Sequence, residues 1–181
     1  MKYLIVGDFH NVRLKGKLET LIEQEKPDCL ISLGDYDIID SIIDFLEISE
    51  KYQGQVIDVP GNHDHAILNN FYIESPTLTS LNTDIDTLHT KLQEEPRAKQ
   101  YLENLCQNII KRIKIGNFNT VIVHGAYNGD IKSLGDNRDE LINKLWYRLL
   151  DSNDLYSNFN EMAKLEENIM IRGHDHWQKK K

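Results

Sequence analysis

Cysteine is nearly absent from this sequence: Cys29 and Cys106 are the only two among 181 residues. They stand at no metal-ligand spacing, which excludes a disulfide framework and a thiolate zinc site. Both are expected to be small packing residues, Cys29 inside the apolar run Cys29-Leu30-Ile31-Ser32-Leu33. No apolar run approaches the length of a membrane span. The opening Met1-Lys2-Tyr3-Leu4-Ile5-Val6-Gly7 meets Asp8 too soon to serve as a signal-peptide core. It reads as a buried first strand, and the cytoplasm is the expected compartment. Positive charge is also short, with 21 Lys and Arg against 29 Asp and Glu, a net charge of −8. That balance argues against nonspecific nucleic-acid or anionic-membrane binding. A phosphorylated substrate stays open, because bound cations invert a local field. Lys179-Lys180-Lys181 reads as a solvated end.

What is present is a globular composition, 40% hydrophobic and 28% charged, which excludes a disordered chain. With no repeat and no low-complexity linker, a single domain over residues 1–181 is expected. Short apolar strands alternate with helical patterns at first. Strands are expected at 2–7, 29–33 and 55–59, with helices at 14–25 and 38–51. Leu14, Leu18, Leu21 and Ile22 share one face of the first helix. This alternation predicts βαβ units and a largely parallel sheet in an α/β fold. Residues 77–114 read as mostly helical, with Tyr101, Leu102, Leu105, Ile109, Ile110 and Ile113 as an apolar face and Pro96 as a break. Gly116-Asn117 reads as a turn, 120–123 as a strand, 138–150 as a helix, 151–160 as a loop and 169–172 as a last strand.

Five short polar segments follow these strands: Gly7-Asp8-Phe9-His10, Gly34-Asp35, Gly61-Asn62-His63-Asp64, His124-Gly125 and Gly173-His174-Asp175-His176. Five of the seven histidines fall inside them. A strand holds a polar side chain rigidly at its carboxyl end, where open α/β sheets place their ligand crevice. Carboxylate, imidazole and amide oxygen together suit borderline divalent ions such as Mn, Fe, Co, Ni or Zn. Asp8 and His10, like His174 and His176, lie two apart, a spacing that faces one way on extended chain. So many donors exceed one ion and suit two that share a carboxylate.

The ordered pattern D-x-H, G-D, G-N-H-D, H and G-H-x-H resembles the calcineurin-like metallophosphoesterase superfamily, from residue 8 to residue 176. The resemblance implies a layered αββα sandwich and metal-dependent hydrolysis of a phosphoester. It implies one ion on Asp8, His10 and His176, a second on Asn62, His124 and His174, and Asp35 bridging the two. It also implies His63 beside the leaving-group oxygen, with Asp64 orienting its ring and Asn62 within reach of substrate. Two divalent ions, manganese first among them, are the expected cofactors. Such a pair polarises phosphoryl oxygens and acidifies water, and a histidine can protonate the departing alkoxide.

Asn143-Lys144-Leu145-Trp146-Tyr147-Arg148 resembles the L-W-x-R stretch of bacterial and phage protein-phosphatase-like members. Arg148 is thereby a phosphate-binding candidate, against a plain helix with Trp146 buried. In Gly34-Asp35-Tyr36-Asp37-Ile38-Ile39, isoleucine stands where the serine/threonine phosphatases carry Asp-Arg. A generic phosphoesterase is therefore preferred, with a protein serine/threonine phosphatase or a dinucleoside-polyphosphate hydrolase as alternatives. A scaffold that kept the fold without catalysis is the alternative from another class. His65 is expected in a supporting or surface role rather than as a ligand, and His89 as structural. Asp175 is expected to point away, and Asp37 and Asp40 to sit exposed at a helix start. Family members continue past G-H-x-H, so the last strands of the second sheet are expected to be missing. The open edge would favour a homodimer.

Overall fold

The computed structural model describes residues 1–71, 85–127, 144–147, 149 and 152–174. The first three strands, β1 (Tyr3–Val6), β2 (Cys29–Ser32) and β3 (Gln55–Asp58), form one parallel sheet in the order β1-β2-β3. Helices α1 (Lys17–Glu25) and α2 (Ile39–Lys51) supply the crossovers, as the alternation predicts. Three more helices follow: α3 (Asn62–Asn69), α4 (Ile85–Glu94) and α5 (Pro96–Leu105). Proline opens α5, where its missing N–H costs nothing. A second sheet is built from β4 (Ile110–Ile115), β5 (Phe118–Val123) and β6 (Ile169–Ile171) in the order β4-β5-β6, with α6 (Ser152–Lys164) preceding β6.

The period-two alternation of the strands creates four layers. Leu4, Val6, Leu30 and Val56 face the helices, meeting Leu18, Ile42, Phe45, Ile67, Leu92 and Leu102 in one core. Cys29, Ile31 and Ile57 face the other way and meet Ile113, Ile122 and Ile171 of the second sheet. Val121, Val123 and Met170 then turn outwards onto Met162 of α6. The sequence of layers is helix, sheet, sheet, helix, the expected αββα arrangement. Truncating a core residue such as Ile31 would cost about 2–5 kcal/mol.

Two segments differ from the sequence expectation. Residues 110–114, expected to be mostly helical, join Ile115 in β4, which pairs antiparallel with β5 from Ile110↔Val123 to Ile115↔Phe118. Gly116-Asn117 forms the tight connection, with Gly116 at φ 60, and the β-branched isoleucines of β4 suit the pleated surface. Residues 152–164, expected largely as a loop, form α6. Ser152, Asn153 and Asp154 are helix-start residues rather than loop filler, and Leu155, Phe159 and Met162 repeat at helical spacing. Of the helix expected over 138–150, residues 144–146 form a helical turn, and most of the rest lies outside the described residues.

Candidate metal centre

The described residues of the five polar segments, up to His174, converge at the carboxyl ends of both sheets. The β1 and β2 ladders continue past the strands: Asp8 N–H donates to the Gly34 carbonyl at 3.0 Å and His10 N–H to the Asp35 carbonyl at 3.0 Å. The His174 N–H donates to Asp8 Oδ1 at 2.9 Å, joining the second sheet to the first. Asp8, His10, Asp35, Asp37 and His174 all take positive φ, a left-handed backbone that non-glycine residues rarely adopt. Such strain collects where surrounding contacts fix a functional geometry. Gly61 approaches Asp35 so closely that a Cβ there would overlap the carboxylate.

One half of the centre is buried. Asp35 is 1% exposed and His124 is 0% exposed. His124 Nδ1 donates to the Leu33 carbonyl at 2.6 Å, and His174 Nε2 donates to the Trp146 carbonyl at 3.2 Å. Carbonyls only accept, so each neutral ring must present its other nitrogen as a lone pair. Those two nitrogens, His124 Nε2 and His174 Nδ1, face each other at 3.2 Å. Asn62 Oδ1 lies 3.0 Å from His124 Nε2, and Asp35 Oδ2 lies 3.2 Å from it. Four acceptor atoms thus converge where only a proton or a cation can reconcile them. The same conflict acts on His124: burial opposes its protonation, but Asp35, through charge and hydrogen bonding, raises its pKa.

The other half is more open. His10 is 27% exposed and His63 is 13% exposed. His10 Nε2 lies 3.8 Å from Asp35 Oδ2. The His63 N–H donates to Asp35 Oδ1 at 3.0 Å. His10, Asp35 and His63 form one metal-capable cluster, and Asp35, His124 and His174 form another, with Asp35 common to both. Asp35 itself is held well below the usual carboxylate range, because the His124 and His63 charges outweigh the burial that acts the other way.

Asp64 departs from its expected place beside the His63 ring. Its Oδ2 accepts the N–H groups of Gly61 at 2.7 Å and Asp35 at 2.8 Å, and its Oδ1 accepts Tyr36 N–H at 2.9 Å. The side chain caps the start of α3 and ties the β2 and β3 loops together. Burial and the Asp35 charge raise its pKa to about 6. The partner of the His63 ring is Asp37, expected as an exposed helix-start residue but found 3% exposed. Asp37 Oδ1 lies 2.6 Å from His63 Nδ1, and Oδ2 lies 2.7 Å from His10 Nδ1. Asp40, by contrast, is exposed as expected and pairs with Arg13 at 2.7 Å. His89 is tied to the Ile67 carbonyl at 2.8 Å, away from the centre. Trp146, near His63 at a ring separation of 6.3 Å, enters the site through its carbonyl. His176, Asp175 and Arg148 lie outside the described residues.

The profile of the calcineurin-like phosphoesterase superfamily domain matches residues 1–181. The chain belongs to that superfamily. Its members are calcineurin-like phosphoesterases, and here two metal-capable clusters share Asp35. A metallophosphoesterase from Sphaerobacter thermophilus has a similar structure, with a TM-score of 0.61 at 22% identity over 97% of this chain. The match covers 61% of that protein, so this chain spans less than two thirds of its length. A hypothetical protein from Pyrococcus horikoshii OT3 gives a TM-score of 0.69 at 14% identity, over 97% of this chain and 70% of its own. At such identities the likeness concerns the fold. No curated protein matches the chain. Among the described residues no helix is long and apolar enough to cross a membrane.

Proposed function

We infer that this protein hydrolyses a phosphoester with the help of two divalent cations that share Asp35. The convergence of three further acceptor atoms on His124 Nε2, beside a second cluster that reuses the same carboxylate, carries this reading. Asn62, His124 and His174 would hold one ion. Asp8 and His10, joined by His176 on its place in the motif, would hold the other. The thiolate-free donor set fits manganese, with iron, cobalt, nickel and zinc as neighbours in preference. Ions held there would supply the positive charge that offsets phosphoryl oxygens and would acidify a water for attack.

The chain's own residues do the rest. His63 is the candidate acid for the departing oxygen: burial lowers its pKa, but Asp35 and Asp37 overcome this and raise it to about 9. Asp37 Oδ1, 2.6 Å from the His63 Nδ1, holds the ring in place for that task. Arg148, placed by the motif alone, is a candidate for gripping phosphate oxygens. Retention of His63 together with the donor set favours catalysis over a scaffold.

The test is hydrolysis of bis-p-nitrophenyl phosphate and p-nitrophenyl phosphate, using chain stripped of metal and resupplied with Mn²⁺. Metal-restored turnover is expected, and the preferred ester would separate diesterase from monoesterase. Two bound ions without turnover of any phosphoester would point to the scaffold instead.

A further inference from the structure

Asp37 is a buried carboxylate with a different imidazole on each oxygen, and its placement follows from its neighbours. Tyr36 is fully buried, stacked on Phe9 at a ring separation of 5.1 Å, with its hydroxyl 2.8 Å from Ser32 Oγ. That aromatic anchor fixes the middle of the loop after β2. Asp35 and Asp37, on either side of it, both take positive φ, at 63° and 53°, and both carboxylates meet the same histidines. Asp35 touches the His10 and His63 side of the centre as a shared donor, whereas Asp37 takes only the far nitrogens, Nδ1 of each ring.

A carboxylate accepts, so the His10 Nδ1 on Oδ2 must carry hydrogen and its Nε2 is turned towards Asp35, whereas the His63 Nδ1 meets Oδ1 as a close ion pair at 2.6 Å. The two rings meet edge to face at 4.8 Å. The described residues of the buried half have no such carboxylate behind them; the Leu33 and Trp146 carbonyls do that work.

We propose that Asp37 is a positioning residue that sets two functions at once: His10 as a ligand of one ion, and His63 as the acid facing the leaving group. The proposal rests on the two-ion reading above and deepens it. One carboxylate makes loading of the open half and leaving-group protonation depend on a single side chain. The buried half is independent of it.

The experiment compares Mn²⁺ binding by calorimetry and ester hydrolysis in the wild type, Asp37→Gly and Asp37→Asn. Glycine suits the positive φ, and asparagine keeps shape while offering one acceptor instead of two. Melting of the metal-free proteins establishes that each is folded. Asp37→Gly is expected to bind one ion as the wild type does and the second about 10–100-fold more weakly. At saturating Mn²⁺ its kcat should fall about 100-fold or more for an alkyl ester, and far less for a p-nitrophenyl ester, which needs no acid. Asp37→Asn should lose one function more than the other. Equal weakening of both ions in a folded variant would overturn the proposal, as would unchanged binding of both or an equal kcat loss on both esters. Should Asp37→Gly fail to fold, Asp37→Asn with neither function reduced would overturn it. If the wild type bound no metal, the two-ion reading itself would fall, an outcome separate from any difference between variants.

Discussion

The two halves of the centre are built by different means. His124 and His174 are almost completely buried, and backbone carbonyls of Leu33 and Trp146 select their ring nitrogens. His10 and His63 are partly exposed, and one side chain, Asp37, orients both. The Leu33 carbonyl, directly after β2, cannot be moved without disturbing the first sheet, and it seats the buried His124. The open half stands on a loop and a helix start, where both rings reach solvent. On the proposed function, one half would hold charge in place and the other would meet the ester.

The comparison breaks most completely at the residue the halves share. Asp35→Asn should abolish turnover, a loss of at least about 1,000-fold, since it strips charge from both ion sites at once. Wild-type-like turnover of this variant would contradict the shared role. His63→Ala should act on the open half alone, slowing alkyl esters by about 100- to 10,000-fold while leaving Mn²⁺ stoichiometry at the wild-type value. Comparison of leaving groups by steady-state kinetics checks it, and an equal loss on p-nitrophenyl esters would remove His63 from the acid role.

The smallest effect concerns the loop that carries His10. Arg13 donates twice to Asp44, at 2.9 Å and 2.8 Å, and Asp44 Oδ2 also accepts Leu14 N–H at 3.0 Å and Lys15 N–H at 3.1 Å. Asp44→Ala would leave the buried Leu14 N–H without its acceptor, at a cost of about 1–3 kcal/mol, read by thermal melting. Arg13 lowers the Asp44 pKa beneath its ordinary 3.8, against burial and with help from the two backbone amides. A depressed carboxylate stabilises the fold above its ordinary pKa and loses that contribution as pH falls through its folded value. The advantage of the wild type over Asp44→Ala should therefore be full at neutral pH and shrink below about pH 4. A difference that grew on acidification would refute the assignment.

Much of this was legible in the sequence for a physical reason. The strands of the first sheet are short apolar runs bounded by Gly-Asp and Gly-Asn, and those boundaries carried the donors. The four-layer order followed from the motif resemblance, and the faces of β2 and β5 bear it out. What was not legible depends on contacts distant in the chain. Asp37 looked like a helix-start residue because its partners are 27 residues before and 26 after it. Asp64 looked like the partner of its neighbour His63, but two loops needed its oxygens for their amides. The Leu33 and Trp146 carbonyls leave no mark in side-chain chemistry. Ile110 and Ile113 fitted a helical pattern until pairing with β5 decided otherwise.

The most direct test is the number of Mn²⁺ ions the metal-stripped chain takes up in a calorimetric titration, with Asp35→Asn alongside. Two ions per chain, both weakened in the variant, is the predicted result. A folded wild-type chain that binds one ion or none, or a variant that keeps both at unchanged affinity, would contradict a two-ion centre built on Asp35.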